Sequence, residues 1–319
     1  MAFDVTALPA YTEQNAMDMI VEAVAKGKLS EYANIQDGVK GPTTINILDT
    51  NVVFQADGCS RTADGSTALT QRTITPGAIA LHEDLCMTDL AAKYTAVMLK
   101  QGLTAEKEEI PFAELYFNLK IAKVKKAIEV ADWQGDVASA TANLNKYDGL
   151  IKLIDASGTA VNGNSSATTA ATGITSGAIG SAGNVLDLMT DMVLQIPEDV
   201  QDADDLKLFV GNDTFLKYQQ SIFSNNLFHY ISEGQTDVMP LVGFPNVEVV
   251  ATVGLTGTNR MFLMKASNIY IGVDLNDEES TDVRSWYDEN DRIYKVTMAF
   301  RRGVNVAFPD EIVQFTLVP

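Results

Sequence analysis

The sequence predicts an α+β fold in which helices and strands are interleaved, and three observations support this class. Residues 293–300 alternate between apolar and polar positions, which is the pattern of a strand with one buried face. The segment after Pro111 repeats apolar residues at spacings of three and four, which is typical of a helix. Segments of both kinds follow one another along the chain with long excursions between them, so the fold is not divided into a helical half and a strand half.

The composition indicates a folded protein with an acidic surface. The chain has 319 residues, 46% of them hydrophobic, which is enough for one or two domains with a substantial core. Its 23 Lys and Arg residues against 42 Asp and Glu residues give a formal net charge of -19, which disfavours a protein that binds nucleic acid by neutralising phosphates. The first residues lack the basic and then apolar order of a signal peptide, and no apolar stretch is long enough to predict a membrane span.

The first eighty residues predict an amino-terminal arm followed by a hairpin. Thr12 can cap a helix that ends near Gly27. Its apolar residues fall at helical spacing and are Met17, Ile20, Val21 and Val24. From Thr43 to Gly77 the pattern changes to two strands around a glycine-containing tip. The return strand, residues 70–75, is mostly polar and has too little apolar surface to pack on both faces, so we expect the hairpin to project.

A long helix is predicted from Pro111 to about Trp133, with room to continue towards Asn143. Its apolar residues form two stripes, one of Phe117, Ile121, Val124, Ile128 and Ala131, and another of Phe112, Leu115, Leu119 and Ala122. Two apolar stripes predict burial on two sides. The remaining surface carries Lys120, Lys123, Lys125 and Lys126. A shorter helix, capped by Thr88 and closed by Gly102, is expected before it.

The middle of the chain contains a compositional break. Residues 157–183 are dominated by Gly, Ser, Ala, Thr and Asn, which predicts a loop or an inserted flap. Helices are predicted after it from Asn184 to Pro197 and from Asn212 or Asp213 through Tyr218. Strands are predicted at residues 206–210, 247–250, 261–264 and 269–273.

The last part of the sequence predicts consecutive strands that are joined by short connections. In the first of them, Lys295 and Thr297 point to one side. The apolar face of the same strand is formed by Tyr294, Val296, Met298 and Phe300. We interpret Arg302-Gly303 as a turn into a second strand with Val304, Val306 and Phe308 on one face, and a third strand is expected from Ile312 after the break at Pro309-Asp310.

The sequence offers no catalytic, cofactor-binding or metal-binding motif, and we predict that the protein is not an enzyme. Its two histidines, His82 and His229, lie far apart and are interpreted as ordinary surface or core residues. The glycines at 177, 180 and 183 lack the lysine and the preceding apolar strand of a phosphate-binding loop. The acidic residues between 274 and 282 do not have the spacing of a calcium-binding loop.

The order of elements carries a resemblance across essentially the whole chain. The arm, the hairpin and the long helix after Pro111 are followed by the step Tyr147-Asp148-Gly149-Leu150 into a second domain. The terminal strands run through Arg301-Arg302-Gly303-Val304 and Phe308-Pro309. In this order the chain resembles the major capsid proteins of tailed bacteriophages, which have the HK97-type fold.

The resemblance implies a division of the chain into domains. Residues 1–42 would be the N-arm, 43–77 the extended loop, 78–147 and 260–319 the peripheral domain with a spine helix at 111–133, and 148–259 the axial domain with its insertion at 157–183. It further implies a virion protein, assembled in the host cytoplasm into hexamers and pentamers of an icosahedral or prolate head that encloses double-stranded DNA. The implied partners are copies of the same chain, together with separate scaffolding, portal and cement or decoration proteins. The resemblance implies neither sequence-specific DNA binding nor contact with a membrane.

The hairpin is the part of the sequence that points most directly to assembly. A two-stranded ribbon is not stable alone in water and needs a third strand or a packed face. We expect the peripheral domain of a neighbouring subunit to supply that face. The predicted assembly residues are Val53, Phe54, Leu69 and Arg72 on the hairpin and Lys120, Lys123 and Lys126 on the long helix.

Two other functions remain open at this point. An encapsulin, which is a cellular compartment shell with the same fold, would enclose a cargo enzyme instead of a genome. The polar insertion at 157–183 argues mildly against it, because encapsulin subunits tend to be compact. An acidic metal-dependent hydrolase or a carbohydrate-binding module would require several carboxylates and a histidine to converge on one pocket.

Overall fold

A computed structural model describes residues 15, 19, 21–23, 27–54, 65–86, 112–163, 184–227, 237–274, 282–291 and 293–315. Several predictions lie outside these residues: the helix from Thr88 to Gly102, the environment of His229, the glycines up to Gly183 and most of the acidic loop after residue 274. Of the amino-terminal helix, the described residues are helical, and Met19 and Ala23 are buried.

The described helices are α1 Lys28–Tyr32, α2 Phe112–Gln134, α3 Leu150–Ser157, α4 Asn184–Leu194 and α5 Asn212–Ser224. The strands of the first half are β1 Asn34–Gln36, β2 Thr43–Asn51, β3 Ser66–Ile74, β4 Gly77–Cys86, β5 Val161–Asn162 and β6 Leu206–Gly211. Those of the second half are β7 Val238–Leu241, β8 Phe244–Thr252, β9 Met261–Lys265, β10 Ile269–Asp274, β11 Asp282–Asp288, β12 Ile293–Val306 and β13 Val313–Phe315. The strands form a five-stranded sheet, a six-stranded sheet and the β2–β3 hairpin.

The five-stranded sheet is built around β12, which is 14 residues long. One edge of β12 pairs with β4 along the whole length of that strand, and the other edge pairs first with β11 and then with β10. The predicted alternation is confirmed, because the apolar side chains at alternate positions from Tyr294 to Phe300 are buried. The amino-terminal arm contributes to this sheet through β1, which runs parallel to β10.

The predicted turn at Arg302-Gly303 is wrong, because both residues lie within β12 and pair with β10. Gly303 is needed there for a close approach: a Cβ atom at this position would lie 2.9 Å from backbone atoms of Thr75 and Pro76, where the hairpin joins β4. An arginine followed by glycine suggests a turn only if the charge is solvated. Here the charge is buried and has its own partner.

Arg302 is the centre of a buried polar cluster that joins four parts of the chain. Arg302 and Asp132 are each 1% exposed and form a two-point ion pair, with Nε 2.9 Å from Oδ1 and Nη2 2.6 Å from Oδ2. Nη2 also donates to Ser30 Oγ at 3.0 Å, and the Tyr147 hydroxyl donates to Asp132 Oδ1 at 2.6 Å. Burial, together with the Asp132 carboxylate, raises the pKa of Tyr147 well above its usual value. The cluster ties β12 to α1, to the long helix and to the loop that follows it.

The long helix α2 is confirmed, but it does not continue towards Asn143. After Gln134 the chain turns at Gly135, whose carbonyl accepts a hydrogen bond of 2.8 Å from the amide of Gly149. A Cβ atom at Gly135 would lie 2.5 Å from the carbonyl oxygen of Tyr147, so this contact requires glycine. Residues 147–150, which were predicted to lead into a second domain, therefore pack their backbone against the end of α2. Helix α3 begins at the last residue of this segment.

The two apolar stripes of α2 differ in burial at the positions that the structure describes. The stripe that begins at Phe117 and ends at Ala131 is buried against the five-stranded sheet. In the second stripe Leu119 is 62% exposed and Ala122 is also exposed. The expectation of burial on two sides is thus wrong for Leu119 and Ala122, because the sheet covers the opposite side of the helix and no residue that the structure describes covers this one.

The six-stranded sheet has the order β5-β13-β9-β6-β8-β7. Helices α4 and α5 pack on one face of it, while Trp133 of α2 packs on the other face, against Phe209 and Phe262. The division between the sheets does not fall at residue 260, because β9 and β13 belong to this sheet. Strand β9 is apolar at four consecutive positions and suits the interior of a sheet that is covered on both faces.

The end of α2 is also hydrogen-bonded to the residues that directly follow β8 of this second sheet. Glu129 Oε1 accepts a hydrogen bond of 2.9 Å from the Val253 amide, and Gln134 Nε2 donates to the Gly254 carbonyl at 2.5 Å. Gly254 lies so close to the Trp133 ring that a Cβ atom would approach it to 2.2 Å. Burial raises the pKa of Glu129.

The first residues of the predicted flap form regular structure. Ser157 still belongs to α3, and Gly158 ends that helix with a φ of 65°. Residues 161–162 then form β5, which pairs in parallel with β13. Ordered structure therefore extends into the low-complexity segment, because β13 offers β5 a pairing edge that local composition does not reveal.

Candidate assembly interface

The two faces of the hairpin have different surroundings. On one face Ile45, Ile47 and Ile74 are buried in a small core with Ala307, packed against Tyr270 and Phe308. This core fixes the base of the hairpin to the end of β12. Because side chains alternate between the faces of a strand, residues of the other parity point away from it.

The opposite face carries an exposed leucine pair. Leu48 and Leu69 are directly paired in the β2–β3 register and are 65% and 66% exposed. Asn46 and Gln71 are paired on the same face, where Gln71 Nε2 donates to Asn46 Oδ1 at 2.8 Å. A polar contact thus joins the two strands on this face, while two large apolar side chains next to it remain exposed.

Further exposed apolar residues follow the end of β2. Val52 and Val53 are exposed, and Phe54 is 95% exposed. Each large apolar side chain of this kind would contribute roughly 1.5–3 kcal/mol if a partner buried it fully. Their exposure together is unusual for a surface that functions in water.

Three of the four predicted hairpin residues, Val53, Phe54 and Leu69, lie on this exposed surface. The structure places Arg72 elsewhere: it pairs with Ile45 on the base side, where Nη2 lies 3.4 Å from Asn305 Oδ1, and burial lowers its pKa. The sequence reasoning missed Leu48. The signal was available, since Leu48 has the opposite strand parity to Ile45 and Ile47.

The exposed side of α2 forms a second surface. Leu119, Ala122, Lys123 and Lys126 fall at spacings of three and four and are all exposed, so they form one stripe. The other two lysines of the helix have acidic partners. Lys125 Nζ lies 2.7 Å from Glu22 Oε1, and Lys120 forms an ion pair with Glu83 of β4.

The side chain of Glu83 links β4 to α2. It accepts hydrogen bonds from Lys120 Nζ and, at 2.6 Å, from the Tyr116 hydroxyl. Burial alone would raise the pKa of Glu83, but these two donors lower it below its usual value. The predicted set of three lysines is therefore divided: Lys120 is neutralised within the chain, and Lys123 and Lys126 form no ion pair with any residue the structure describes.

A groove of about 270 Å³ runs between α2 and the neighbouring strands. Its apolar lining comes from β4, α2 and β12 and consists of Ile79, Ala80, Leu81, Val124, Ala127, Ile128, Ala131 and Phe300. Lys123 and Lys146 line it as well, and both side chains are exposed. The groove therefore combines an apolar floor with positive charge.

Within the described residues, no group of three His, Cys, Asp or Glu side chains is placed to hold a metal ion. His82 Nδ1 lies 3.2 Å from Thr297 Oγ1 on the outer face of the five-stranded sheet. None of the helices in the described part of the chain is both long enough and apolar enough to cross a membrane.

Comparison with known proteins gives a likeness in structure and none in sequence. No protein-family model matches the chain, and no curated protein matches it. The satellite phage P4 procapsid, a structure that includes the size determination protein Sid, has a TM-score of 0.56 at 12% identity, covering 95% of this chain and 98% of that chain. The capsid of an empty GTA particle has a TM-score of 0.58 at 13% identity, with 92% and 90% covered.

The capsid of Myoviridae phage XM1 is similar to the same extent, with a TM-score of 0.56 at 14% identity and 91% of each chain covered. The likeness includes both sheets, since it extends over more than nine tenths of the chain in all three cases. The α+β, HK97-type capsid fold predicted from the order of elements is thereby confirmed.

Proposed function

We propose that this chain is the major capsid protein of a tailed bacteriophage, in which many copies form a shell around double-stranded DNA. The observation that carries the proposal is the match to phage and GTA capsid structures along more than nine tenths of the chain. The exposed apolar hairpin supports it, since such a surface needs a partner.

In the proposed assembly, copies of the chain form hexamers and pentamers of an icosahedral or prolate head in the host cytoplasm. The hairpin of one copy contacts the next copy, through Phe54 and the leucine pair. Many modest contacts of this kind add up through multivalency, so that a shell can close even if each contact is weak. Scaffolding, portal and cement or decoration proteins would be separate chains.

The proposed domain division assigns one sheet to each domain. The five-stranded sheet and α2 would form the peripheral domain, and the six-stranded sheet with α4 and α5 would form the axial domain. DNA would be enclosed without being read, which agrees with the net charge of -19.

The test is electron microscopy of the purified full-length protein, followed by nuclease treatment of any particles. The proposal expects closed shells, or hexameric and pentameric rings, and DNA protected from nuclease when particles come from infected or producing cells. Shells that enclose protein cargo instead of DNA would indicate a cellular compartment. A protein that stays monomeric under all assembly conditions would contradict the proposal.

A variant then tests the role of the hairpin. Deletion of residues 57–65 combined with Phe54→Ser should give a folded monomer that does not assemble. Deletion of a similar length from the segment 164–183 is the control, because the closure entropy of a loop changes only slowly with its length. Particles of normal size and stability from the hairpin variant would show that the hairpin is not an intersubunit contact.

A further inference from the structure

The free edges of the two sheets differ in how they are protected. An edge strand carries unpaired backbone N–H and C=O groups, and proteins usually shield such an edge with a short strand, a proline, a bulge or an inward-pointing charge. The six-stranded sheet ends at β5, which has two residues, and at β7, which contains Pro240 and a shift in register directly after it. Both edges of this sheet are therefore shielded.

The five-stranded sheet has shielded edges at β1 and β4. Strand β1 has three residues, and β4 carries Glu83 on its inward face, where Lys120 and Tyr116 bind it. Strand β11 has none of these features and pairs with β12 alone among the strands that the structure describes. Its seven residues pair in an unbroken register, and its sequence contains neither proline nor glycine. We therefore examined which strand could pair with this edge.

The two faces of β11 have different surroundings. Val283 and Ser285 are buried, and Val283 belongs to the core between the sheet and α2. Arg284 and Trp286 point to the opposite face and are exposed, Trp286 by 45%. Aromatic side chains on neighbouring strands stabilise a sheet when they lie opposite each other. An added strand would thus find both a free backbone edge and an exposed aromatic side chain.

The charges of β11 complement those of a second, antiparallel copy of the same strand. When two copies pair with Trp286 opposite Trp286, Arg284 of each copy lies opposite Asp288 of the other copy. Opposite charges directly across two strands stabilise the pair. We propose that β11 joins two copies of this chain, edge to edge and antiparallel about Trp286, an inference that rests on the proposed function and adds a contact to it.

The carboxylate of Asp288 is suited to this contact. Its Oδ2 lies 2.7 Å from Lys295 Nζ, and its Oδ1 accepts a hydrogen bond of 3.0 Å from the Asn290 amide. Lys295, together with this amide, lowers the pKa of Asp288, so the carboxylate is ionised at neutral pH. Because the two oxygens of a carboxylate offer about four acceptor positions, Asp288 can also accept a guanidinium from a second copy.

The symmetry of the contact determines its place in the proposed shell. A strand that pairs with its own copy forms an isologous contact, which joins two copies about a two-fold axis and is then complete. Such a contact cannot by itself build a ring of five or six copies. In the proposed shell it would instead join one hexamer or pentamer to the next, so that two five-stranded sheets become one continuous sheet.

The first experiment tests the register with disulfides in the full-length protein, after Cys59 and Cys86 have been replaced by serine. Opposite residues of an antiparallel pair have Cα atoms about 4.5–5.5 Å apart, a separation that a disulfide can span. Trp286→Cys should therefore give covalent dimers when the protein is oxidised. Arg284→Cys is the matched control, because its two copies would lie about four residues apart along the strands, roughly 13 Å. It should give dimers only when it is mixed with Asp288→Cys.

The outcomes of this experiment separate the contact from the shell function. Particles of normal size without dimers from Trp286→Cys, or equal yields of dimers from Trp286→Cys and Arg284→Cys, would overturn the β11 contact and leave the shell function intact. Dimers from Trp286→Cys in a protein that forms neither shells nor rings would support the β11 contact and contradict the proposed function.

The second experiment tests the charges with two variants, Arg284→Glu and Asp288→Lys. In either variant alone, both cross-strand pairs of a dimer carry like charges, so the association of two copies should weaken by roughly tenfold or more. In an equal mixture, a dimer with one copy of each variant has two pairs of opposite charge. Native mass spectrometry should therefore show mixed dimers in excess over dimers of either variant with itself.

Gln220→Glu, at an exposed position of α5, is the control for an added negative charge and should associate like the wild type. Recovery of association in the mixture also shows that both variants are folded. Unchanged association of Arg284→Glu alone, or a mixture in which dimers of mixed composition are not favoured, would overturn the proposed register.

Discussion

In the Arg302 cluster the charged groups have their partners within the chain, whereas at the end of the hairpin the large apolar side chains remain in solvent. The two regions are joined through one continuous structure, since the base of the hairpin packs on the end of the strand that carries Arg302. The cluster and the core around it account for the stability of the single subunit. The exposed hairpin residues contribute little to that stability, because no residue that the structure describes covers them.

The sharpest test of this distinction is Arg302→Met. Removal of the guanidinium leaves the Asp132 carboxylate buried without its ionic partner, which is expected to cost about 3–5 kcal/mol of unfolding free energy. The measurement is denaturant unfolding of the unassembled subunit. The neighbouring Arg301→Met is the control, because Arg301 donates only to a backbone carbonyl, that of Lys40, and its loss should cost far less.

The double variant Arg302→Met/Asp132→Leu separates the two causes of that loss. If the unpaired carboxylate is responsible, replacing it as well should recover much of the lost stability. Equal stabilities for Arg302→Met and the wild type would show that the cluster does not hold the subunit together.

A matched pair on α2 tests which side of the helix is buried. Ile121→Asp places a charge in the buried stripe and should cost several kcal/mol, while Leu119→Asp, two residues away on the exposed side, should change the stability by less than about 0.5 kcal/mol. Thermal unfolding of the two variants gives the comparison directly. Similar losses in both would mean that both stripes are buried within one chain.

The pH dependence of stability should contain a contribution from Glu129. Burial raises its pKa, so the folded state binds the proton more tightly than the unfolded state does. The contribution of this carboxyl to stability is therefore full below its ordinary value of 4.5, falls as pH rises through the folded-state pKa, and is constant above it. Glu129→Gln removes this dependence, so the stability of the variant relative to the wild type should rise across that window. Denaturant unfolding at several pH values measures the difference in unfolding free energy between the variant and the wild type. A difference that does not change with pH would contradict a raised pKa of Glu129.

The smallest effect on stability is expected at the leucine pair. Leu48→Ser combined with Leu69→Ser should change the unfolding free energy of the subunit by no more than about 0.5 kcal/mol, since neither side chain is buried in the chain. The same variant should assemble poorly. The buried counterpart on the other face, Ile47→Ser, should destabilise the subunit itself, and the opposite ranking of the two variants would reverse the roles of the two faces.

Local patterns in the sequence were sufficient for much of the fold. The alternation around Val296 and the helical spacing from Phe117 to Ala131 are consequences of one buried face, and both are found as predicted. Strand β4 was missed because Glu83 interrupts its inward-facing apolar positions. That glutamate is satisfied by Lys120, 37 residues away, which no local pattern reveals.

The same limit explains the error at Arg302. Its partner Asp132 lies 170 residues earlier, and only the folded chain brings them together. The exposure of the apolar residues at 53, 54 and 69 could be predicted because they do not fit a self-contained hairpin. The groove could not be predicted, since it arises where α2, β4 and β12 meet.

The continuity of β12 also has a mechanical consequence. Strand β3 leads through Thr75 and Pro76 directly into β4, which is bonded to β12 along its whole length. The bonds of an antiparallel ladder lie perpendicular to the strands. A force on the hairpin that is transmitted along β4 therefore loads all the hydrogen bonds between β4 and β12 together in shear, instead of breaking them one after another.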